Sequence, residues 1–120
     1  MPVHAKSIYE PAAPEDGIRL LTTNYWPRGV SKERAGTYLR ILAPSRELLQ
    51  RFKSGEIAWP EYEVRYLEEM QAERQQEEIE RIAAIAREAT VTVMCMCKDD
   101  NECHRRLLRE LIERQMEASA

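Results

Sequence analysis

Apolar positions recur with a period of two in one short stretch of this chain and with helical spacing through most of the rest. Between residues 91 and 97, Val91, Val93, Cys95 and Cys97 fall on one face and Thr92, Met94 and Met96 on the other, the alternation of a strand. Both faces are mostly apolar, which predicts a central strand covered by helices on each side. Shorter strands are expected at residues 3–9 and 18–25, joined by a turn-rich connector containing Pro11, Pro14 and Gly17. Trp26-Pro27-Arg28-Gly29 ends the second of them, because Pro27 has no ladder donor and Gly29 tolerates positive φ. An ordered loop is expected there, followed by a helical segment that Ser31 caps ahead of Lys32-Glu33-Arg34.

From Pro44 the period is helical. Leu48, Leu49 and Phe52 share a face and Ser54-Gly55 supplies a stop. Beyond Trp59-Pro60, Tyr62, Tyr66, Leu67 and Met70 keep one face, residues 71–80 are almost wholly polar, and Ile82, Ala83, Ile85 and Ala86 resume the stripe. This fits either two helices with a break near Gln75-Gln76 or one long helix with a solvated middle. The glutamates and arginines there read most simply as a solvent face with i,i+4 pairs. A last helix is expected after residue 102, its stripe made by Leu107, Leu108, Leu111, Ile112 and Met116. The whole predicts one three-layer α/β domain over 1–120, with a mostly parallel central sheet flanked by helices.

Composition narrows the function classes. No apolar run nears the roughly 20 residues of a bilayer span, and the amino-terminal residues lack the apolar region of a signal peptide, so a cytosolic protein without membrane partners is expected. A formal charge of −3 over 120 residues disfavours general nucleic-acid binding without excluding it, since phosphate contacts need a basic surface. Three cysteines, all within ten residues, do not form a disulfide framework and point to packing, redox chemistry or metal. Oligomeric state is not legible.

Those cysteines lie where a strand would run through a polar turn, Lys98-Asp99-Asp100-Asn101-Glu102, into a helix opening with Cys103-His104-Arg105. Ligands in open α/β sheets bind at the carboxyl ends of strands. Asp99 and Glu102 have the spacing of a capping box, and the apolar stripe extends back through His104, so His104 is expected to face the sheet, Arg105 the rim and Arg106 the solvent. Cys103, near a helix start and beside arginines, is a candidate nucleophile or redox thiol, and His104 a candidate acid–base group. Cys95 and Cys97 read as core residues of the strand. Cys95, Cys97, Cys103 and His104 also form a four-ligand inventory for iron or zinc, although C-x-C-x5-C-H is not the paired C-x2-C spacing of structural zinc sites. Cys103 and Arg109 spell C-x5-R, but helical leucines and arginines cannot make the amide cradle that a phosphatase loop needs. If the loop after the second strand shares an edge with the cysteine strand, Arg28, Lys32, Lys98 and Arg105 surround one crevice fit for phosphate or carboxylate.

With Trp26-Pro27-Arg28-Gly29-Val30-Ser31-Lys32-Glu33, Leu42-Ala43-Pro44-Ser45 and a strand ending at Lys98-Asp99, the chain resembles, over residues 9–111, the bacterial and archaeal family catalogued as domain of unknown function 488. The resemblance implies a compact three-layer α/β domain, with strands near Val3 and Ile18 feeding the sheet and the site in loops at their carboxyl ends. Thr23-Asn24 stand where similar members usually carry Asp-Arg, and Cys95 and Cys97 where they often carry other residues. The family name implies no activity. Three functions stay open: a domain that binds a small anionic ligand in the crevice, enzymatic or not, with Cys103 and His104 as reactive groups; a metal-binding or thiol redox protein built on the cysteines and His104; and an interaction domain using the polar helix.

Overall fold

The computed structural model describes residues 3–96 and 103–118. Its strands are β1 (Val3–Ser7), β2 (Ile18–Leu21), β3 (Thr37–Tyr38) and β4 (Val91–Cys95). Its helices are α1 (Lys32–Ala35), α2 (Arg46–Lys53), α3 (Trp59–Glu69), α4 (Glu73–Ala86) and α5 (His104–Ala118). The sheet has the order β1-β4-β2-β3 and every pairing is parallel, so the α/β class read from the sequence is the class observed. All five residues of β4 are buried, as a strand with apolar residues on both faces requires.

The two faces of β4 enter two cores. Val91 and Val93 join Tyr66 of α3, Ile79 and Ile82 of α4, and Leu108 and Ile112 of α5 in the larger one. Met94 faces a smaller cluster of Ile8, Leu21, Val30 and Ala35, which α1 and the loop before it cover. Helices on one side, sheet in the middle and this thinner cover on the other make the three layers.

The connector between β1 and β2 is short for a parallel crossover. It closes by running back along the Thr92 side of β4, where the Thr92 hydroxyl donates to the Asp16 carbonyl at 2.7 Å. Asp16 sits on a single 3-10 turn (Pro14–Asp16) and fastens the segment. Its carboxylate takes an ion pair from Lys6 of β1 at 2.9 Å, another from Arg19 of β2 and the Ala13 amide at 3.0 Å. Burial alone would raise its pKa, but the Ala13 amide, Lys6 and Arg19 outweigh it and hold Asp16 below the ordinary carboxylate value. Gly17 follows at φ +64°, where a Cβ would collide with the Thr90 carbonyl.

Three details differ from the periodicity. The second strand stops at Leu21 and not near Tyr25: the Thr22 amide and hydroxyl both donate to the Met94 carbonyl, at 2.9 and 3.0 Å, and the Thr23 hydroxyl then turns to the Tyr25 carbonyl at 2.7 Å. A two-residue edge strand, β3, was not expected, since two residues carry no period. Of the two readings for the long helical stretch, the broken one is observed, with the break at residues 70–72 instead of 75–76. Met70 ends α3 with its side chain buried, and the Gln76 side chain donates to the Met70 carbonyl at 2.7 Å, which satisfies a helix end.

Candidate functional site

Three segments meet at the carboxyl edge of the sheet. Cys95 closes β4, Thr22 and Thr23 follow β2, and Cys103 and His104 open α5. His104 is held here because it extends the buried stripe of α5. Its Nε2 lies 2.6 Å from the Thr22 carbonyl oxygen, and since a carbonyl only accepts, Nε2 carries the hydrogen. In the neutral ring Nδ1 is then the basic nitrogen, and it lies 3.9 Å from the Cys103 sulfur. Cys103 Sγ is 2.6 Å from Cys95 Sγ, and both residues are thiols. Cys95 Sγ in turn accepts from Arg105 Nη1 at 3.1 Å. The result is a chain of groups: the Thr22 carbonyl, the His104 imidazole, the Cys103 thiol, the Cys95 sulfur and the Arg105 guanidinium.

This chain is buried. Arg105 is only 1% exposed, and both sulfurs and the imidazole are buried with it. A guanidinium keeps its proton, so its position favours negative charge on the sulfur it touches. Cys103 lies between Cys95 and the imidazole. Behind them the Tyr66 ring lies against His104 with centroids 5.5 Å apart. Burial, and after it Tyr62, Cys103, Glu69 and Cys95, push the Tyr66 phenol well above its ordinary value, so it stays neutral and donates to the Leu42 carbonyl at 2.8 Å.

A cavity of about 270 Å³ opens onto this chain, its lining including Cys95, His104 and Thr23 together with Tyr25, Leu49 and Lys53. The sequence pointed to Cys103 as the reactive thiol and to Cys95 as packing; the structure puts Cys95 on the cavity wall. Arg105 was expected at the rim and is instead buried. It stands seven residues before the buried Ile112, and seven residues return to within about 20° on a helix, so the signal was present but the charge argued against it. Thr22, which fixes His104, carried no signal in the sequence.

Arg28 and Lys32 are exposed, and neither lines the cavity that holds Cys95 and His104. Trp26 closes their loop, donating Nε1–H to the Val30 carbonyl at 2.9 Å and meeting Tyr38 edge-on. Cys97, Lys98 and the Asp99–Glu102 capping box lie outside the described residues. Cys95, Cys103 and His104 do come together as a possible ligand set, with one donor atom from each within 4.8 Å of the others. No helix among the described residues is long and apolar enough to cross a membrane.

A family model described as "Active DUF488-N3 subclade" matches residues 3–116. The chain is 30% identical over 112 residues to the uncharacterized protein YeaO of Escherichia coli (strain K12), covering 92% of this chain and 96% of that one. It is 34% identical over 70 residues to the uncharacterized protein Rv3073c of Mycobacterium tuberculosis (strain ATCC 25618 / H37Rv), covering 57% and 59%. No solved structure matches.

Proposed function

The chain belongs to the DUF488 family, and from that premise we propose that it binds a small anionic ligand at the carboxyl ends of β2 and β4 and presents the Cys95 sulfur to it as a nucleophile. The observation that carries this reading is the buried Arg105 guanidinium, 3.1 Å from a sulfur on the wall of a cavity. A cation buried against a thiol is an arrangement that activates sulfur. Cys103 holds the second sulfur and His104 the adjacent base, so a proton leaving Cys95 has a short route to Nδ1. The description "active" attached to the matched subclade accords with a site that performs chemistry.

Alkylation by iodoacetamide at pH 7, with the modified residue located by peptide mapping, tests it. Cys95 should react faster in the folded protein than in the urea-unfolded chain, and Arg105→Met should remove that advantage, a loss of about tenfold or more. A Cys95 that reacts no faster when folded, or reacts equally in Arg105→Met, would sink the proposal.

Metal binding is a second reading, favoured by the convergence of Cys95, Cys103 and His104. It ranks lower because Arg105 already brings positive charge to Cys95. Stoichiometric zinc or iron in the purified protein, lost in Cys103→Ser, would move this reading ahead of the first.

A further inference from the structure

A second cavity, an open groove of about 780 Å³, lies beside the thiol cavity and shares Asn24 and Pro44 with it. At that shared wall the Asn24 side chain donates to the Pro44 carbonyl at 2.5 Å. The groove is lined by Arg40, from the turn before α2, and Arg74, from the first turn of α4, together with Ser45, Glu69 and Gln75.

Some surface arginines are paired with a glutamate; among the described residues these two, like the exposed Arg28, Arg46, Arg87 and Arg114, are not. Arg51, Arg65, Arg81, Arg106 and Arg109 each have a glutamate within ion-pair distance. Among the described residues Arg40 and Arg74 have none, and both are exposed. The one acid on the groove wall is occupied: Glu69 accepts from the Ser45 amide at 2.8 Å and from the Ser45 hydroxyl at 2.5 Å. Positive charge continues along the smaller cavity, where Lys53 lines the wall and the Arg46 guanidinium sits 5.1 Å above the Tyr25 ring. The smaller cavity is otherwise largely apolar, with Tyr25, Pro44, Leu49 and Met96, and at about 270 Å³ it falls just below the roughly 300–1,000 Å³ typical of drug-sized ligands, which suits a single ring.

We propose that the groove is a phosphate-binding subsite, and that the ligand is a phosphate ester whose compact apolar or aromatic body enters the thiol cavity while Arg40 and Arg74 hold its phosphate. The inference rests on the ligand site proposed above and names the class of molecule it takes. Phosphate fits better than carboxylate because two guanidinium forks and the Gln75 amide offer more donors than two oxygens accept. The body and the head group are read by separate walls, so neither alone binds well.

Titration calorimetry of the full chain with phenyl phosphate, phenol and inorganic phosphate decides it. Phenyl phosphate should bind at least about tenfold more tightly than either fragment, and the Arg40→Ala, Arg74→Ala double variant should lose that advantage while its affinity for phenol stays unchanged. Both arginines are exposed, so the variant is expected to keep the thermal midpoint of the parent. Phenyl phosphate that binds no better than phenol, or equally well to the double variant, overturns the subsite. In a separate reading, bound phenyl phosphate should slow the alkylation of Cys95; binding without protection overturns the shared ligand. A Cys95 that is unreactive from the outset overturns the thiol proposal instead, and the titration still decides the groove.

Discussion

At the scale of single residues, the largest electrostatic commitments are two buried ions on opposite sides of the sheet. Asp16 serves structure. It joins β1, β2 and the connector, and removing one member of a buried, hydrogen-bonded ion cluster leaves the others uncompensated. Asp16→Asn should lower stability by about 3 kcal/mol, read from urea unfolding at pH 7. Its lowered pKa fixes the sign of the pH dependence. The contribution is complete above the ordinary carboxylate value of 3.8 and is lost as the pH falls through the depressed value, because the unfolded state binds the proton more readily there. The variant should therefore lose stability less steeply than the parent below that pH. Arg105 is the counterpart at the functional edge. The sequence placed His104 correctly against the sheet but kept Arg105 outside, since a guanidinium is rarely buried without a partner, and the partner sulfur came from a strand residue assigned to packing. Tyr66→Phe isolates the wall behind this site: the Leu42 carbonyl loses its buried donor, at a cost of about 1–3 kcal/mol.

At the scale of elements, what could be read was what repeats. β4 was visible from seven alternating residues, α2 from its stripe and stop, and α1 from its Ser31 cap, which accepts from the Arg34 amide at 3.2 Å. What could not be read depended on contacts across the fold, such as the Gln76 amide that closes α3 and the two-residue β3. Ser45 shows how one residue can serve two elements: its hydroxyl accepts from the Leu48 amide at the start of α2 and donates to Glu69 at the end of α3. Ser45→Ala should cost about 1 kcal/mol or somewhat more, visible as a lower thermal midpoint, and should release Glu69 into the arginine groove. Gly36 follows α1 at φ +69° against the Arg19 carbonyl, which leaves no room for a Cβ. Gly36→Ala should cost more than about 1 kcal/mol and loosen β3, whose register with β2 begins one residue later at Thr37.

At the scale of the whole molecule, the fold is asymmetric about its sheet. Four helices and the larger core lie on one face; a four-residue helix, a loop and five buried residues close the other. Native-state hydrogen exchange should follow this division. The amides of β4, paired on both sides, should exchange only through global unfolding, and those of α1 and β3 well before them; uniform protection across the sheet would contradict the division. The fold class and the edge that carries the site were legible because a doubly apolar strand running into a cysteine-bearing helix leaves few alternatives. The walls of the two cavities were not, because they come from residues far apart in the chain. The strand order has one more consequence, in time. β1 emerges before the other strands of this sheet, yet its ladder partner is β4, which begins at Val91, and β4 also separates β1 from β2. A ribosome must therefore deliver residues 8–90 before the first strand can pair at all. Until then the nascent chain holds a strand edge that only its own late segment is built to fill, which makes this a slow, long-range closure and leaves the early chain dependent on whatever shelters such edges in the cell.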